Sequence, residues 1–281
     1  MSTTAERTLR ILHLSDTHLY GDGTLHYGRV DTLAALRRVL DRASEIDALD
    51  VVVASGDLSD DGSPDSYRLL AGLLEPWAAE RDAIVVYAMG NHDLRAGFEE
   101  VLGQRTRVFA INGFRIATID STVPGAGYGN LEEAQLDALR VALEGASEAG
   151  TVVVLHHPPV PAQTTLLSGL ELQNPGELLD VCATGDVRLI LCGHYHHSLS
   201  TEADGIPVVV APAVANTADP LAAAGTERAT MGSGFAFIEV PADGDPRAIF
   251  IAVPGPEDGT EIYDLDAADI ERILVASGPR R

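Results

Sequence analysis

The sequence predicts a protein of the α/β class in which a second β-sheet packs on the first. Short apolar runs rich in Val, Ile, Leu and Ala alternate with stretches of helical spacing, as is typical of sheets covered by helices. The order begins β-α-β-α-β. Predicted helices become sparse after Thr184, whereas predicted strands continue to Val253. The strand-rich last third of the chain therefore suggests a second sheet packed on the first.

The predicted strands are apolar runs of four to six residues. Polar or glycine-rich positions follow the first of these runs. Short apolar runs of this length are typical of strands that are buried on both faces. In chain order the predicted strands are Leu9–Leu14, Val51–Ala54, Ala83–Ala88, Phe114–Ile119, Thr151–Leu155, Val187–Leu191, Ile206–Val210, Phe235–Val240 and Ala248–Val253.

The predicted helices are recognised by spacing and by their first residues. Pro64 follows Ser63 at the start of the second helix, and Asn130 is the predicted N-cap of the third. The helices are Arg29–Ser44, Pro64–Ala79, Leu131–Glu144, Pro175–Ala183 and Asp266–Ala276. The segment Ala213–Gly234 has no clear period, and we predict a surface lip or lid there.

The charge of the chain excludes several classes of protein. The 281 residues include 42 acidic and 19 basic side chains, which gives a net charge of −23, and every basic residue is Arg. A protein that coats nucleic acid or binds membranes through basic clusters needs a cationic surface. The absence of Lys also excludes lysine Schiff-base chemistry and a phosphate-binding loop that ends in Gly-Lys-Ser/Thr.

Cysteine content and apolar runs favour a cytoplasmic protein with no membrane partner. Cys182 and Cys192 are too few for a disulfide framework or a four-thiolate zinc site. The apolar stretch Ile11–Leu14 is too short for a signal peptide, and Ile206–Ala215 reaches only half of a bilayer span.

Metal-ligating residue types follow five of the predicted strands. In an open α/β sheet, ligands gather at the carboxyl ends of the strands, so these side chains are expected to meet at one edge. The segments are Asp16-Thr17-His18, Gly56-Asp57, Gly90-Asn91-His92-Asp93, His156-His157 and Gly193-His194-Tyr195-His196.

The spacing within these segments indicates metal ligation. If Asp16 and His18, or His194 and His196, lie in extended segments, both outer side chains point the same way. Glycines before the motif residues are expected to let the backbone bend as it leaves each strand. A mixed set of carboxylate, imidazole and amide ligands suits Mn, Fe, Zn, Co or Ni better than Ca or Mg.

Taken together, the five segments resemble the signature blocks of the calcineurin-like metallophosphoesterases, in the family's order, over residues 16–196. The size of the chain and the Ser15–Leu19 block resemble the bacterial class III cyclic nucleotide phosphodiesterases, and glycerophosphodiesterases of the superfamily are similar too. The resemblance implies a four-layer α-β-β-α sandwich of two mixed sheets flanked by helices. We predict one domain over residues 1–281, with motifs at 16–196, a strand-rich part at 200–253 and a peripheral C-terminal helix at 266–276.

The resemblance also implies roles for the motif residues. The cofactors would be two divalent or trivalent transition-metal ions, with Mn, Fe or Zn favoured. The first metal would be held by Asp16, His18, Asp57 and His196, and the second by Asp57, Asn91, His156 and His194, with Asp57 shared.

His92 and Asn91 are the predicted catalytic residues. His92 is the predicted general acid, because an imidazolium can donate a proton near neutral pH. We expect Asp93 to orient His92, and Asp60 to cap its loop or support the site. His26 is expected either to line the substrate cleft or to be exposed.

The implied activity is hydrolysis of a small anionic phosphodiester, with cyclic nucleotides such as 3′,5′-cyclic AMP favoured. A glycerophosphodiesterase or phosphomonoesterase with the same metal centre is an alternative, as is a non-catalytic scaffold of the same fold. Relatives often associate, so the resemblance also suggests a homodimer.

Overall fold

The computed structural model describes residues 7–279. Its strands are β1 (Thr8–Leu14), β2 (Val51–Ser55), β3 (Ile84–Ala88), β4 (Arg107–Ile111), β5 (Phe114–Thr118), β6 (Thr151–Val154), β7 (Val187–Cys192), β8 (Leu199–Ala203), β9 (Ile206–Val210), β10 (Thr217–Ala218), β11 (Glu227–Thr230), β12 (Ser233–Pro241), β13 (Arg247–Val253) and β14 (Glu261–Leu265). Its helices are α1 (Thr32–Ala43), α2 (Pro64–Ala79), α3 (Arg95–Val101), α4 (Glu133–Ala142), α5 (Thr165–Ser168), α6 (Pro175–Cys182) and α7 (Ala267–Ser277).

Two mixed sheets dominate the fold. The first has five strands in the order β13-β12-β1-β2-β3, in which β1, β2 and β3 are parallel and the pairs β1–β12 and β12–β13 are antiparallel. The second has six strands in the order β4-β5-β6-β7-β9-β8. Strands β5, β6, β7 and β9 are parallel, and antiparallel strands form both edges of this sheet.

The two sheets pack face to face, with helices on their outer faces. Side chains alternate along each strand, so Leu9 and Ile11 of β1 join the core between the sheets, whereas Leu12 and Leu14 pack under helices. The five-stranded sheet is covered by α1, α2 and α3, and the six-stranded sheet by α4 and α6. The predicted four-layer α-β-β-α sandwich is therefore confirmed.

A third, small sheet takes two of its three strands from the region that the sequence predicted to be a loop. Strands β10, β11 and β14 pair antiparallel within it. Of the predicted irregular segment 213–234, residues 217–218, 227–230 and 233–234 are in strands. The prediction was therefore partly wrong, because these strands are short and only alternate residues, such as Glu227 and Ala229, are buried.

The start of α4 also differs from the prediction. Its N-cap is Glu132, not Asn130, and the Glu132 and Gln135 side chains form a capping box. The backbone N–H of Asn130 instead donates to the carbonyl oxygen of Ser121. The helix therefore begins two residues later than the sequence predicted.

The C-terminal helix α7 packs against the short helix α5. Ile270 of α7 is buried in a small apolar cluster with Leu166 and Leu170. Within residues 7–279, no helix combines the length and the hydropathy that a bilayer crossing requires.

Candidate metal centre

The five motif segments meet at one rim of the sandwich. The carboxyl ends of β1, β2 and β3 bring Asp16, His18, Asp57 and Asn91 from the five-stranded sheet. The ends of β6 and β7 bring the three motif histidines, His156, His194 and His196, from the six-stranded sheet. The two sheets therefore both contribute to one cluster.

One half of the cluster contains Asp16, His18, Asp57 and His196. Each offers one ligand atom, and these atoms lie within 4.8 Å of one another. Nε2 of His196 is 3.3 Å from Oδ1 of Asp16 and 3.2 Å from Nε2 of His18. The geometry suits a single cation, because the carboxylates and the imidazole nitrogens converge on one point.

The other half contains Asp57, His156 and His194, whose ligand atoms also lie within 4.8 Å of one another. Nε2 of His156 is 3.3 Å from Oδ2 of Asp57. Asp57 therefore belongs to both halves, which is the arrangement that a bridging carboxylate needs. Asn91 lines the same cavity as Asp57 and His194.

The polar atoms of these residues fit a pair of metal ions. Nε2 of His156 and Oδ1 of Asn91 are buried and have no hydrogen-bond partner, which is costly unless a ligand satisfies them. Nδ1 of His156 lies 2.9 Å from the Ser55 carbonyl oxygen, and Nε2 of His194 lies 3.0 Å from that of Leu170. These contacts orient both rings and leave the other nitrogen of each as a ligand.

The charges of the cluster favour a cation. Burial alone lowers the pKa of His156, but the carboxylates of Asp57 and Asp16 outweigh burial and raise that pKa to about 9. Burial would raise the pKa of Asp57, yet His156 and His92 keep it well below its usual value. The carboxylates that favour a proton on the imidazole equally favour a bound metal ion.

The backbone of the ligands is not extended, contrary to the geometry assumed for the Asp-x-His and His-x-His pairs. Five ligand residues have φ in the left-handed region: 53° for Asp16, 43° for His18, 48° for Asp57, 70° for His194 and 52° for His196. The side chains converge because each segment turns after its strand. That geometry is uncommon outside glycine and is often found at functional sites.

The motif glycines serve two different purposes. Gly56 has φ of 104° and supplies the predicted bend. A Cβ on Gly90 would lie 2.1 Å from the backbone nitrogen of Asp57, and one on Gly193 would lie 1.8 Å from Oγ of Ser15. At these two positions glycine allows adjacent loops to approach closely, a role that the sequence did not reveal.

Asp60, rather than Asp93, contacts His92. One Asp60 oxygen, Oδ1, is 2.8 Å from Nδ1 of His18 and 3.1 Å from Nδ1 of His92. The carboxylate of Asp93 instead accepts hydrogen bonds from the backbone N–H groups of Leu58, Ser59 and Gly90. The predicted orienting role of Asp93 was therefore wrong. Its carboxylate instead stabilises the loop around Asp57.

The remaining histidines near the motifs are buried supports. His26 is 1% exposed, stacks on His18 with ring centroids 4.5 Å apart and is not among the residues that line the cavity, so neither expected placement was right. His157, also buried, lies 2.8 Å from Oγ of Ser121 through Nδ1. His197 lies beside Tyr195, which is buried.

A cavity of about 540 Å³ opens above the cluster. Motif residues form its floor, and its walls come from α5, α7 and the small three-stranded sheet. The wall residues are Leu166, Leu167, Leu170, Glu227, Tyr263, Leu265 and Ile273. Of these residues, Glu227 lies in the segment Ala213–Gly234 that the sequence predicted to be a lip or lid. The others lie outside the motifs and that segment, and no local signal in the sequence assigned them to the site.

Comparison with known proteins agrees with this geometry. The model of the calcineurin-like phosphoesterase family matches residues 9–198. A probable cyclic nucleotide phosphodiesterase of Rhodococcus erythropolis is 39% identical over 279 residues, covering 96% of this chain and 91% of that protein. A cAMP/cGMP dual specificity phosphodiesterase of Mycobacterium tuberculosis is 39% identical over 231 residues, covering 79% and 73%.

The fold is also similar to that of a purple acid phosphatase from yellow lupin seeds. The TM-score is 0.63 at 14% identity, and the match covers 98% of this chain and 57% of that chain. The family match over most of the chain, the two relatives and the similar fold all agree with the motif geometry. The chain belongs to the calcineurin-like phosphoesterase family.

Proposed function

We propose that the protein is a metal-dependent phosphodiesterase that hydrolyses small phosphodiesters, with cyclic nucleotides as its substrates. The observation that carries the proposal is the pair of ligand groups that share Asp57 on the floor of a cavity whose walls are mainly apolar and aromatic. The names of the relatives from Rhodococcus erythropolis and Mycobacterium tuberculosis support the same substrate class.

Seven residues would hold two metal ions, and manganese, iron or zinc is the favoured identity of these ions. The first site would use Asp16, His18, Asp57 and His196, and the second Asp57, Asn91, His156 and His194. When bound, such ions activate a water molecule as the nucleophile and neutralise the charge that develops on phosphate.

His92 would donate the proton that the alkoxide leaving group requires. Its side chain is 40% exposed and lines the cavity, and its Nδ1 lies 3.1 Å from Oδ1 of Asp60. That contact fixes the ring and leaves Nε2 free to deliver a proton into the cavity. Asn91 would orient the phosphate beside it while also ligating metal.

The cavity favours a singly charged diester over a monoester. None of the residues that line it within the described chain is an arginine, and a terminal phosphate dianion is usually recognised by cationic side chains. The apolar walls suit the organic part of a diester instead.

We further propose that the chain forms one domain, with both sheets contributing to one metal centre. The predicted divisions at 16–196, 200–253 and 266–276 stay predictions, and residues 1–6 and 280–281 lie outside the described part. A cytoplasmic location, the absence of membrane and nucleic-acid partners, and a homodimer stay predictions.

The test is a side-by-side measurement of kcat/KM at one metal loading, with metal analysis of protein purified without added ions. The panel contains cyclic nucleotides, glycerophosphodiesters, nucleoside monophosphates and bis(p-nitrophenyl) phosphate. We expect cyclic nucleotides to be the best natural substrates. Monophosphates as the best substrates would contradict the diesterase assignment, and turnover of none would favour the scaffold alternative.

A further inference from the structure

Glu227 is a buried carboxylate in a wall of the cavity that the proposed chemistry does not use. Glu227 is 1% exposed, yet it lines the cavity, and its Oε2 atom has no hydrogen-bond partner. Burial raises the pKa of Glu227, and hydrogen bonds from the Thr164 side chain and the Leu166 backbone oppose that rise. One oxygen is thus left with unmet acceptor capacity.

The fold fixes Glu227 against the metal centre. The backbone N–H of Ala218 in β10 donates to the carbonyl oxygen of His196 at 3.1 Å. Ala218 pairs with Ala229 of β11, and Glu227 pairs with Leu265 of β14. The small sheet therefore places this carboxylate in the same cavity as the ligands, at a position set by backbone hydrogen bonds.

Aromatic and apolar side chains line the cavity near Glu227. Tyr27 and Tyr263 pack edge to face with centroids 5.1 Å apart, and both line the cavity with Leu265. Aromatic faces of this kind stack on planar heterocycles. A carboxylate repels phosphate, so Glu227 must face the neutral part of an anionic substrate.

We infer that Glu227 is a specificity-determining residue that accepts hydrogen bonds from the N–H groups of the substrate's nucleobase. Adenine and guanine present exocyclic amino donors, whereas unsubstituted purine has the same shape and no such donor. The inference rests on the proposed function, since it concerns the organic part of the same substrate. It assigns a role outside the family match, which ends at residue 198.

The test compares three cyclic substrates that differ only in the base: the 3′,5′-cyclic monophosphates of guanosine, adenosine and purine riboside. For the wild type we expect kcat/KM for the two amino-bearing bases to exceed that for purine riboside about tenfold to hundredfold, the range for a hydrogen bond to a charged group. In Glu227→Met, which has similar length and no carboxylate, this ratio should fall about tenfold. Glu227→Gln keeps one acceptor oxygen and should retain part of the preference for the amino-bearing bases.

The matched control is Glu261→Gln. Glu261 is an exposed carboxylate of β14 in the same small sheet and does not line the cavity. Its substitution should leave the base ratio unchanged. Bis(p-nitrophenyl) phosphate has no base, so an equal loss on it and on the cyclic nucleotides in Glu227→Met would indicate a structural role and overturn the inference.

A binding measurement separates this inference from the proposed function. Calorimetric Kd values of guanosine, adenosine and purine riboside do not depend on turnover. If the wild type hydrolyses no cyclic nucleotide, the proposed substrate class fails, while tighter binding of the amino-bearing nucleosides, lost in Glu227→Met, still supports the inference. Equal Kd values for the three nucleosides would overturn it.

Discussion

Asp57 is the residue on which both halves of the metal centre depend. Its carboxylate lies 3.3 Å from His156 and 3.7 Å from His18, and it is almost completely buried. Its Oδ1 also accepts a hydrogen bond from the backbone N–H of His92 at 2.8 Å. One side chain therefore links the two ligand groups to the proposed proton donor.

Replacing Asp57 by Asn should remove both metals together. The amide keeps the shape of the side chain but loses the negative charge that two cations share. We expect metal content, measured by inductively coupled plasma mass spectrometry, to fall from about two ions per chain to below one, with activity lost in parallel. Asp61→Asn, an exposed neighbour in the same loop, is the control. Full metal content in Asp57→Asn would contradict the shared-ligand role.

Replacing His92 by Ala should separate proton donation from metal binding. We expect the metal content to persist and the rate on a cyclic nucleotide to fall on the order of 10²–10⁴-fold, because its alkoxide leaving group needs a proton. On bis(p-nitrophenyl) phosphate the loss should be much smaller, since nitrophenolate leaves without one. The measurement compares the rates of the variant and the wild type on both substrates, together with their metal content. Equal losses would rule out a general acid at this position.

At the scale of elements, α7 links the end of the chain to the cavity wall. Ile270 anchors the helix on α5, and Ile273 and Ser277 line the cavity. Ile270, Ile273 and Ser277 are spaced three and four residues apart, and Ile273 also packs against the cluster of Ile270, so one face of the helix both packs on α5 and lines the cavity. Its position determines the width of the cavity on that side.

Shortening the side chain of Ile270 should both destabilise the protein and weaken substrate binding. Ile270→Ala removes a buried side chain and should lower the free energy of unfolding by about 2 kcal/mol or more. We also expect KM for a cyclic nucleotide to rise while kcat changes less, because the ligands are untouched. Urea unfolding and steady-state kinetics provide the two readouts. Val275→Ala, on the exposed face of the same helix at 82% exposure, should change neither, and equal effects of both variants would contradict the anchoring role.

The elements that the sequence predicted well are the ones that are buried. Strand β9 is apolar throughout, and β2 is apolar except for its last residue, Ser55, so their bounds were predicted to within a residue. Strands β4 and β8 form the edges of the six-stranded sheet and were not predicted. In β8 the polar run Ser200–Glu202 breaks the apolar pattern, whereas β4 is apolar from Val108 to Ile111 although it is mostly exposed. Of the site, the motif residues could be found because they follow predicted strands. Glu227 and Tyr263 could not, since only the tertiary packing of a small sheet brings them there.

At the scale of the whole molecule, the proposed metal pair would tie the two sheets together. The five-stranded sheet supplies the carboxylates and the six-stranded sheet supplies His156, His194 and His196. Ligands from both layers of the sandwich would be held by the same ions. Metal binding should therefore stabilise the fold as a unit.

Removing the metals should lower the melting temperature. A ligand present at 100 times its Kd raises the free energy of unfolding by about 2.7 kcal/mol. We expect differential scanning calorimetry to give a lower Tm after treatment with a chelator and a return of Tm when metal is restored. The Asp57→Asn variant should show little response. A chelator effect of the same size in that variant would indicate that the metals act elsewhere.

The left-handed backbone at five ligands has a consequence for how such a protein changes over generations. Each such non-glycine residue costs on the order of 1 kcal/mol, and five amount to roughly 5 kcal/mol, a large share of a typical net stability of about 5–15 kcal/mol. Selection maintains that cost only while the reaction is useful. A lineage that no longer needs hydrolysis would reduce this cost by replacing Asp16, His18 or Asp57 with glycine or asparagine, so an inactive descendant of this sandwich should be more stable than the metal-free form of its enzyme ancestor.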